Sequence, residues 1–345
     1  MPSLEWNKKV KVVGDKRILF VSKSGRSAST RYRALAYFDA LKENGWAPQH
    51  LSADGGPMAK LRVLAGAQRS DVVVIIRKTF ARPYLRLLSA CSKHLVFDLD
   101  DAIFSGSRGE PSATRRKRFA GVAGCCDRIW AGNGFLRAAS AEYNSEVSIL
   151  PTSVNTGKYF TAGAKPDGRM DLVWIGSSST GKYLKEALPT LEQATGAFPS
   201  ARLKIIADFD LASDRLETLP VAWCEATEAA ELSSAHIGIA PMPDDPWTRG
   251  KCGLKVLQYM AAGLPVIASP SGVNGEIVVH EETGFLASSP AEWKAAVEAL
   301  VNSPRLRCSM GMAGRRRVVE YYSTDATFRK MLAVLQGLFG DMVDR

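Results

Sequence analysis

Apolar runs of five to seven residues alternate with longer amphipathic segments along the whole chain. RILFVS at 17–22, DVVVII at 71–76, HLVFD at 94–98, DRIWAG at 127–132 and VSILP at 147–151 mark the first half. DLVWIG at 171–176, RLKIIAD at 202–208, HIGIAP at 236–241 and LPVIAS at 264–269 mark the second. Such continuous runs read as strands covered on both faces, and their alternation with helical patterns predicts parallel sheets sandwiched by helices. Between the halves, TAGAKPDGR at 161–169 holds no large apolar residue and reads as a linker. The predicted fold is therefore α/β, with two Rossmann-like domains at 1–160 and 170–325 and a helix at 326–345 that returns to the first domain. Ligands of open α/β sheets bind beyond the carboxyl ends of the strands, which places the site in the cleft between domains.

The size agrees with that division: 345 residues exceed what a single core usually organises. A composition of 46% hydrophobic and 23% charged residues is that of a soluble protein, and no apolar run approaches the roughly 18 residues of a membrane span. The opening MPSLEWNKKVKVVGDKR lacks the apolar stretch of a secretory signal, so the expected location is cytoplasmic. Six cysteines without CxxC spacing and four dispersed histidines indicate neither a disulfide framework nor a metal site. The net charge of +10 gathers in clusters at Arg26, Arg31 and Arg33, at 115–118 and at 315–317. These suit solvated helix faces, a phosphate-bearing acceptor or the inner face of an anionic membrane, whereas no aromatic-interleaved basic strand points to nucleic acid.

Three motifs carry candidate chemistry. GSSSTGKY at 176–183 follows a strand and has the P-loop spacing, but Tyr183 stands where a P-loop places its Mg²⁺-binding hydroxyl residue. What remains is a turn able to offer amides from Ser177, Ser178 and Thr180, beside Gly176 and Lys182, to a nucleotide diphosphate, or else a plain helix cap. FDLDDAIF at 97–104 puts Asp98, Asp100 and Asp101 at the end of a buried strand. It resembles the first motif of haloacid-dehalogenase-type phosphatases, with Asp98 as nucleophile and Asp100 as general acid, although Ala102 occupies the expected threonine position. The alternative is that one of these aspartates caps the following segment. The third motif, PDDPWTRGKCGLKVLQYMAAGLPVIASPSGVNGEIV at 243–278, reads as a loop, a helix and a buried strand. Arg249, Lys251 and Lys255 surround a helix start at Gly253 and Leu254, where a lysine conflicts with the helix dipole unless an anion lies between them.

Together with STRYRALAYFDALKENGW at 29–46 and AGNGFLRAASAEYNSEVSILPTSVNTGKY at 131–159, these motifs make the chain resemble the retaining glycosyltransferases of the GT-B fold, family 4 type, glycosyl transferases group 1. The resemblance implies a UDP- or GDP-sugar donor held by the second domain and a glycan or lipid-linked acceptor held by the first, with domain closure and no metal or further cofactor. It assigns catalytic roles to Lys255, Asp100, Asp101 and Arg249. Donor contacts fall to Gly25 and Arg31 in the first domain, to the 176–182 turn and Glu225, and to Lys251, Gly253, Leu254 and Gln258. Many relatives carry two glutamates where this chain has Gly250 and Gln258, so sugar recognition passes in expectation to Asp244, Asp245 or Glu276. A phosphatase and a non-catalytic nucleotide-sugar-binding protein are the rival readings.

Overall fold

The computed structural model describes residues 16–106, 109–159, 165 and 168–340, so most of the expected linker lies outside the described residues. Strands β1 (Lys16–Ser22), β2 (Trp46–Ser52), β3 (Val72–Ile76), β4 (His94–Leu99), β5 (Arg128–Ala131) and β6 (Val147–Ile149) form a parallel sheet in the order β2-β1-β3-β4-β5-β6. Strands β7 (Met170–Ile175), β8 (Ala201–Ala207), β9 (Glu217–Ala222), β10 (Ile237–Ala240), β11 (Val266–Ala268) and β12 (Gly284–Leu286) form the second, in the order β12-β11-β10-β7-β8-β9. Each predicted apolar run is one of these strands. β2, β9 and β12 were not predicted, and β2, β9 and β12 all lie at sheet edges or ends.

Both sheets are doubly wound. In the first, Leu19, Val73 and Phe97 face the helices Gly56–Ala67, Arg82–Cys91 and Ala113–Ala123, while Ile18, Val72 and Val96 face the other side. That other side is covered partly by the C-terminal helix Thr324–Gly340, whose Phe328, Met331, Leu335 and Leu338 pack with Tyr37, Trp46 and Trp130. Each such side chain contributes about 1.5–3 kcal/mol by leaving water, enough to hold the returning chain on the first sheet. The crossing is pinned where Val154 N donates to Tyr322 O and Thr324 N to Val154 O, both at 3.0 Å.

Strand order reverses between β1 and β3 in one sheet and between β7 and β10 in the other. Helices diverge to opposite faces at such a point and leave a crevice at the strand ends. The two crevices open on one shared cavity of about 440 Å³.

Candidate active site

The first-domain wall of this cavity is built from strand ends and the loops that follow. After β1, Ser27 caps the helix Ala28–Arg33 by accepting from Thr30 N, and this turn presents Arg26, Ser29, Arg31 and Tyr32 to the cavity. After β3, Arg77 takes the left-handed backbone conformation (φ 49°) and turns back toward the aspartates that follow β4.

Those aspartates do three different jobs. Asp98 is fully buried and gripped by Arg33, Nε to Oδ1 at 2.9 Å and Nη2 to Oδ2 at 2.6 Å, while Arg33 Nη1 donates to Leu150 O at 2.7 Å. Burial pushes the Asp98 carboxyl up and Arg33 opposes it; for the guanidinium, the attraction of Asp98 overcomes burial and keeps it charged. Asp98 therefore braces the floor and is not exposed as a nucleophile, which removes the structural basis of the phosphatase reading. Asp101 joins the domains: its Oδ2 accepts from Lys251 Nζ at 3.0 Å and pairs with Arg77 Nη2. Asp100 lines the cavity, and its buried Oδ1 has no hydrogen-bond partner among the described residues, the nearest cationic nitrogen being Arg77 Nε at 3.8 Å.

The second-domain wall comes from the loops after β7 and β10. The turn at 176–180 opens the helix Ser178–Thr195, but its amides are already used: Ser178 N donates to Asp208 Oδ1 at 2.6 Å and Thr180 N to Ser177 O at 2.9 Å. The turn therefore behaves as a helix cap and does not form the expected phosphate loop. Gly176, Ser177 and Thr180 still line the cavity, as does Tyr183, whose buried hydroxyl has no hydrogen-bond partner among the described residues and is pushed up to about 12 by burial.

Opposite lies the helix Leu254–Ala261, preceded by Gly253 at φ 68°, a left-handed conformation that glycine adopts without strain. Gly253, Leu254 and Lys255 bring the helix start to the cavity. Lys255 is half-buried, its Nζ lies 4.1 Å from the centroid of the Trp174 ring, and it forms no ion pair among the described residues. Burial, reinforced by Lys251, lowers its pKa to about 7.

A buried polar network closes one end. Glu228 accepts from Tyr159 OH at 2.7 Å, Trp223 Nε1 at 2.8 Å and Lys158 Nζ at 3.1 Å. Gln258 Nε2 donates to Tyr159 OH at 2.8 Å and to Tyr32 OH at 3.1 Å, so Tyr32 of the first domain is tied to the second. These partners hold the Glu228 carboxyl below its usual range despite burial.

Of the expected site residues, Arg31, Asp100, Asp101, Gly176, Ser177, Thr180, Lys251, Gly253, Leu254, Lys255 and Gln258 line the cavity. Five do not. Arg249 is exposed and turned to Asp244, with contacts at 2.9 and 2.8 Å. Glu225 is exposed and meets Arg31 Nη1 at 3.0 Å. Lys182 lies over the Tyr183 ring at 4.7 Å, Ser178 is turned to Asp208, and Gly25 packs toward His50. The carboxylates expected to recognise sugar lie elsewhere too: Asp244 pairs with Arg249, Asp245 caps the amides of Trp247 and Thr248, and Glu276 borders a separate hollow. Gly250 sits against the first domain, where an added Cβ would lie 2.5 Å from that of Ala102.

Arg77, Tyr32, Trp223 and Glu228 were missed from sequence. Arg77 carried a usable signal, a cation directly after a fully apolar strand. Trp223 followed an edge strand that was not recognised.

Residues 170–303 match the family model described as glycosyl transferases group 1. Among curated proteins, the chain is 40% identical over 95 residues to the alpha-1,3/1,6-mannosyltransferase ALG2 of Mus musculus, a match covering 27% of this chain and 19% of that protein. It is 30% identical over 116 residues to the D-inositol 3-phosphate glycosyltransferase of Pseudarthrobacter chlorophenolicus, covering 33% of this chain and 26% of that one. The chain thus matches only about a fifth to a quarter of the length of these relatives. Among solved structures, sucrose-phosphate synthase from Thermosynechococcus elongatus superposes with a TM-score of 0.73 at 15% identity, over 94% of this chain and all of that one. Anabaena Alr3699/HepE in complex with UDP and glucose gives a TM-score of 0.71 at 14% identity, over 93% of this chain and 100% of that one. These likenesses establish the fold as GT-B, two Rossmann-like domains facing across a cleft.

Proposed function

We propose that the protein is a glycosyltransferase that moves a hexose-type unit from a UDP- or GDP-sugar, with retention of configuration, to a glycan or lipid-linked acceptor held by the first domain. The observation that carries this reading is Lys255: a cation without a carboxylate partner among the described residues, half-buried at a helix start that faces the inter-domain cavity. Burial without a counter-charge is costly for a lysine, and a diphosphate resting between Lys255 and the first-turn amides would relieve it. The family match over residues 170–303 and the UDP complexes of similar structures support a nucleotide sugar as that anion.

In the reaction, the bond from the anomeric carbon to the diphosphate oxygen breaks as the acceptor oxygen bonds to the same face of that carbon. The acceptor's proton passes to the departing phosphate oxygen, so no separate general base and no metal ion are needed. Lys255 and the amides at Leu254 stabilise the charge that grows on the leaving group, while Asp100, with its free Oδ1, orients a hydroxyl of the acceptor or the sugar.

A panel of UDP-, GDP- and ADP-sugars, followed by transfer, slow hydrolysis and protection against thermal unfolding, tests the proposal. A true donor at 100 times its Kd should stabilise the protein by about 2.7 kcal/mol. Lys255→Ala should lower kcat/KM for that donor about a hundredfold. A change within about threefold would remove Lys255 from the mechanism, and protection by a nucleotide without turnover of any sugar would favour a binding protein.

A further inference from the structure

We infer that the helices Gly56–Ala67 and Arg82–Cys91 form a docking surface for a lipid bilayer carrying anionic headgroups. Met58, Leu61 and Leu87 are the most exposed large hydrophobic side chains among the described residues, at 62, 57 and 56%. All three lie on this one helix pair. The helices are neighbours: Tyr84 OH donates to Lys60 O at 3.0 Å, and Lys60 Nζ lies 5.8 Å from the Tyr84 ring centroid.

The charge around these residues has one sign. From residue 55 to residue 97 the chain has eight Lys and Arg residues and a single acid, Asp71. Asp71 is bound to Lys93, so it neutralises none of the helix cations. Lys60, Arg62, Arg82 and Arg86 are exposed and form no ion pair among the described residues. On the first helix Met58, Leu61, Arg62 and Ala65 recur at the spacing of one face, while Val63 and Ala67 point into the core. On the second, Arg82, Arg86 and Leu87 are outward and Leu85 and Leu88 inward. Exposed apolar side chains set among unpaired cations match an interface with apolar tails beneath negative headgroups. A folded acidic protein would complement the charge but would not require the three apolar side chains to stand among it.

The helix Pro304–Tyr321 also exposes Met312 and Val319, but two of the three arginines clustered on it are already engaged. Arg315 donates to the Tyr159 carbonyl and Arg317 to those of Ile277 and Glu276, while Arg116 pairs with Glu142. Position also favours the helix pair. Both helices follow carboxyl ends of strands of the parallel sheet, the side on which the cavity lies, and the loops leading into them are tied together by Lys78 and Asp54. Arg77, adjacent to Lys78, lines the cavity itself. A bilayer seated on this face meets the first domain, to which the proposed function assigns the acceptor.

Co-sedimentation of the full chain with vesicles of phosphatidylcholine alone and of phosphatidylcholine mixed equally with phosphatidylglycerol tests the inference. The protein should pellet with the mixed vesicles and stay in the supernatant with the neutral ones, and high salt should weaken the binding. The double variant Arg82→Glu/Arg86→Glu should reduce partitioning about tenfold or more. Met58→Ser/Leu61→Ser/Leu87→Ser should reduce it while leaving its salt dependence. All five substitutions are at exposed positions, so an unchanged thermal unfolding midpoint shows that the fold is retained. Failure to pellet with either vesicle, equal binding to both, or partitioning indifferent to both variants would overturn the inference.

Discussion

The two halves of the cleft share one topological scheme but differ in the sign of the charge each leaves open: a carboxylate, Asp100, in the first and an amine, Lys255, in the second. On the first-domain side two of the three aspartates after β4 are matched to partners, Asp98 with Arg33, and Asp101 with Arg77 and, across the cleft, Lys251, while Asp100 keeps an open Oδ1 toward the cavity. On the second-domain side, Lys255 is left against an aromatic ring with no carboxylate partner among the described residues. Satisfied pairs make a rigid floor and hold the domains in register. An unsatisfied cation stores an interaction for a ligand. The same residue types are thus satisfied at some positions and left open at others, and geometry separates them where residue type does not.

The sharpest way to break this comparison is to treat the first half as if it were the reactive one. Asp98→Ala leaves the Arg33 guanidinium buried without a counter-ion, and loss of one partner of such a pair costs about 3–5 kcal/mol. Urea unfolding should show that loss through a lower midpoint. Asp98→Asn should destabilise less, because it keeps acceptor capacity toward Arg33. If Asp98→Asn instead left stability untouched and abolished hydrolysis of a phosphate ester, the first half would hold the chemistry and the assignment of architecture would be wrong.

How much of this was legible in the sequence follows the same division. Fully buried strands announce themselves as apolar runs, and this is why β1, β3, β4, β7, β8 and β10 were readable. β2 contains Pro48 and β9 contains Pro220, and both strands alternate or are half exposed, as edge strands tolerate. β12 has three residues and, unlike the equally short β6 and β11, begins at a glycine rather than inside a longer apolar run. The loops at strand ends were readable too, because Asp100, Gly176 and Gly253 interrupt strong patterns. What the sequence could not show is which charges are already paired. Arg33 and Asp98 are 65 positions apart and Asp101 and Lys251 are 150 apart, so only the fold brings them together. Arg249 and Lys255 look alike in sequence, yet Asp244 neutralises the first and nothing among the described residues neutralises the second.

Gly250 sharpens the comparison at the seam between the halves. Many members of the family that the sequence resembles carry a carboxylate there, but in this chain the position abuts the first domain, with the Ala102 amide nitrogen 2.7 Å and its Cβ 2.5 Å from where a Cβ would stand. Gly250→Glu should therefore push the two halves apart, at a cost of about 1–3 kcal/mol as measured by urea unfolding. It should not raise kcat. A variant as stable as the parent and faster with its donor would show that the seam is loose and that a carboxylate there reaches the sugar.

The smallest effect, and the one most specific to the open amine, is on pH. In the ligand-free protein Lys255 titrates at about 7, lowered by burial and by Lys251. A bound diphosphate favours the protonated amine and raises that value, so donor binding takes up a proton wherever the free site has lost one. Affinity for an intact nucleotide sugar should accordingly be at its maximum below about pH 7 and fall as pH rises, by no more than about tenfold per unit, until pH passes the raised value of the complex. Stability of the ligand-free protein should move the other way. An unfolded lysine holds its proton to about 10.4, so between about pH 7 and 10 the unfolded state binds more protons at this group, and its contribution to stability rises with pH. Isothermal titration in buffers of different ionisation enthalpy reads the proton uptake directly. Lys255→Arg keeps the charge across the whole range and should flatten the affinity profile above pH 7, whereas a profile that slopes equally in the arginine variant would place the titrating group elsewhere in the cleft.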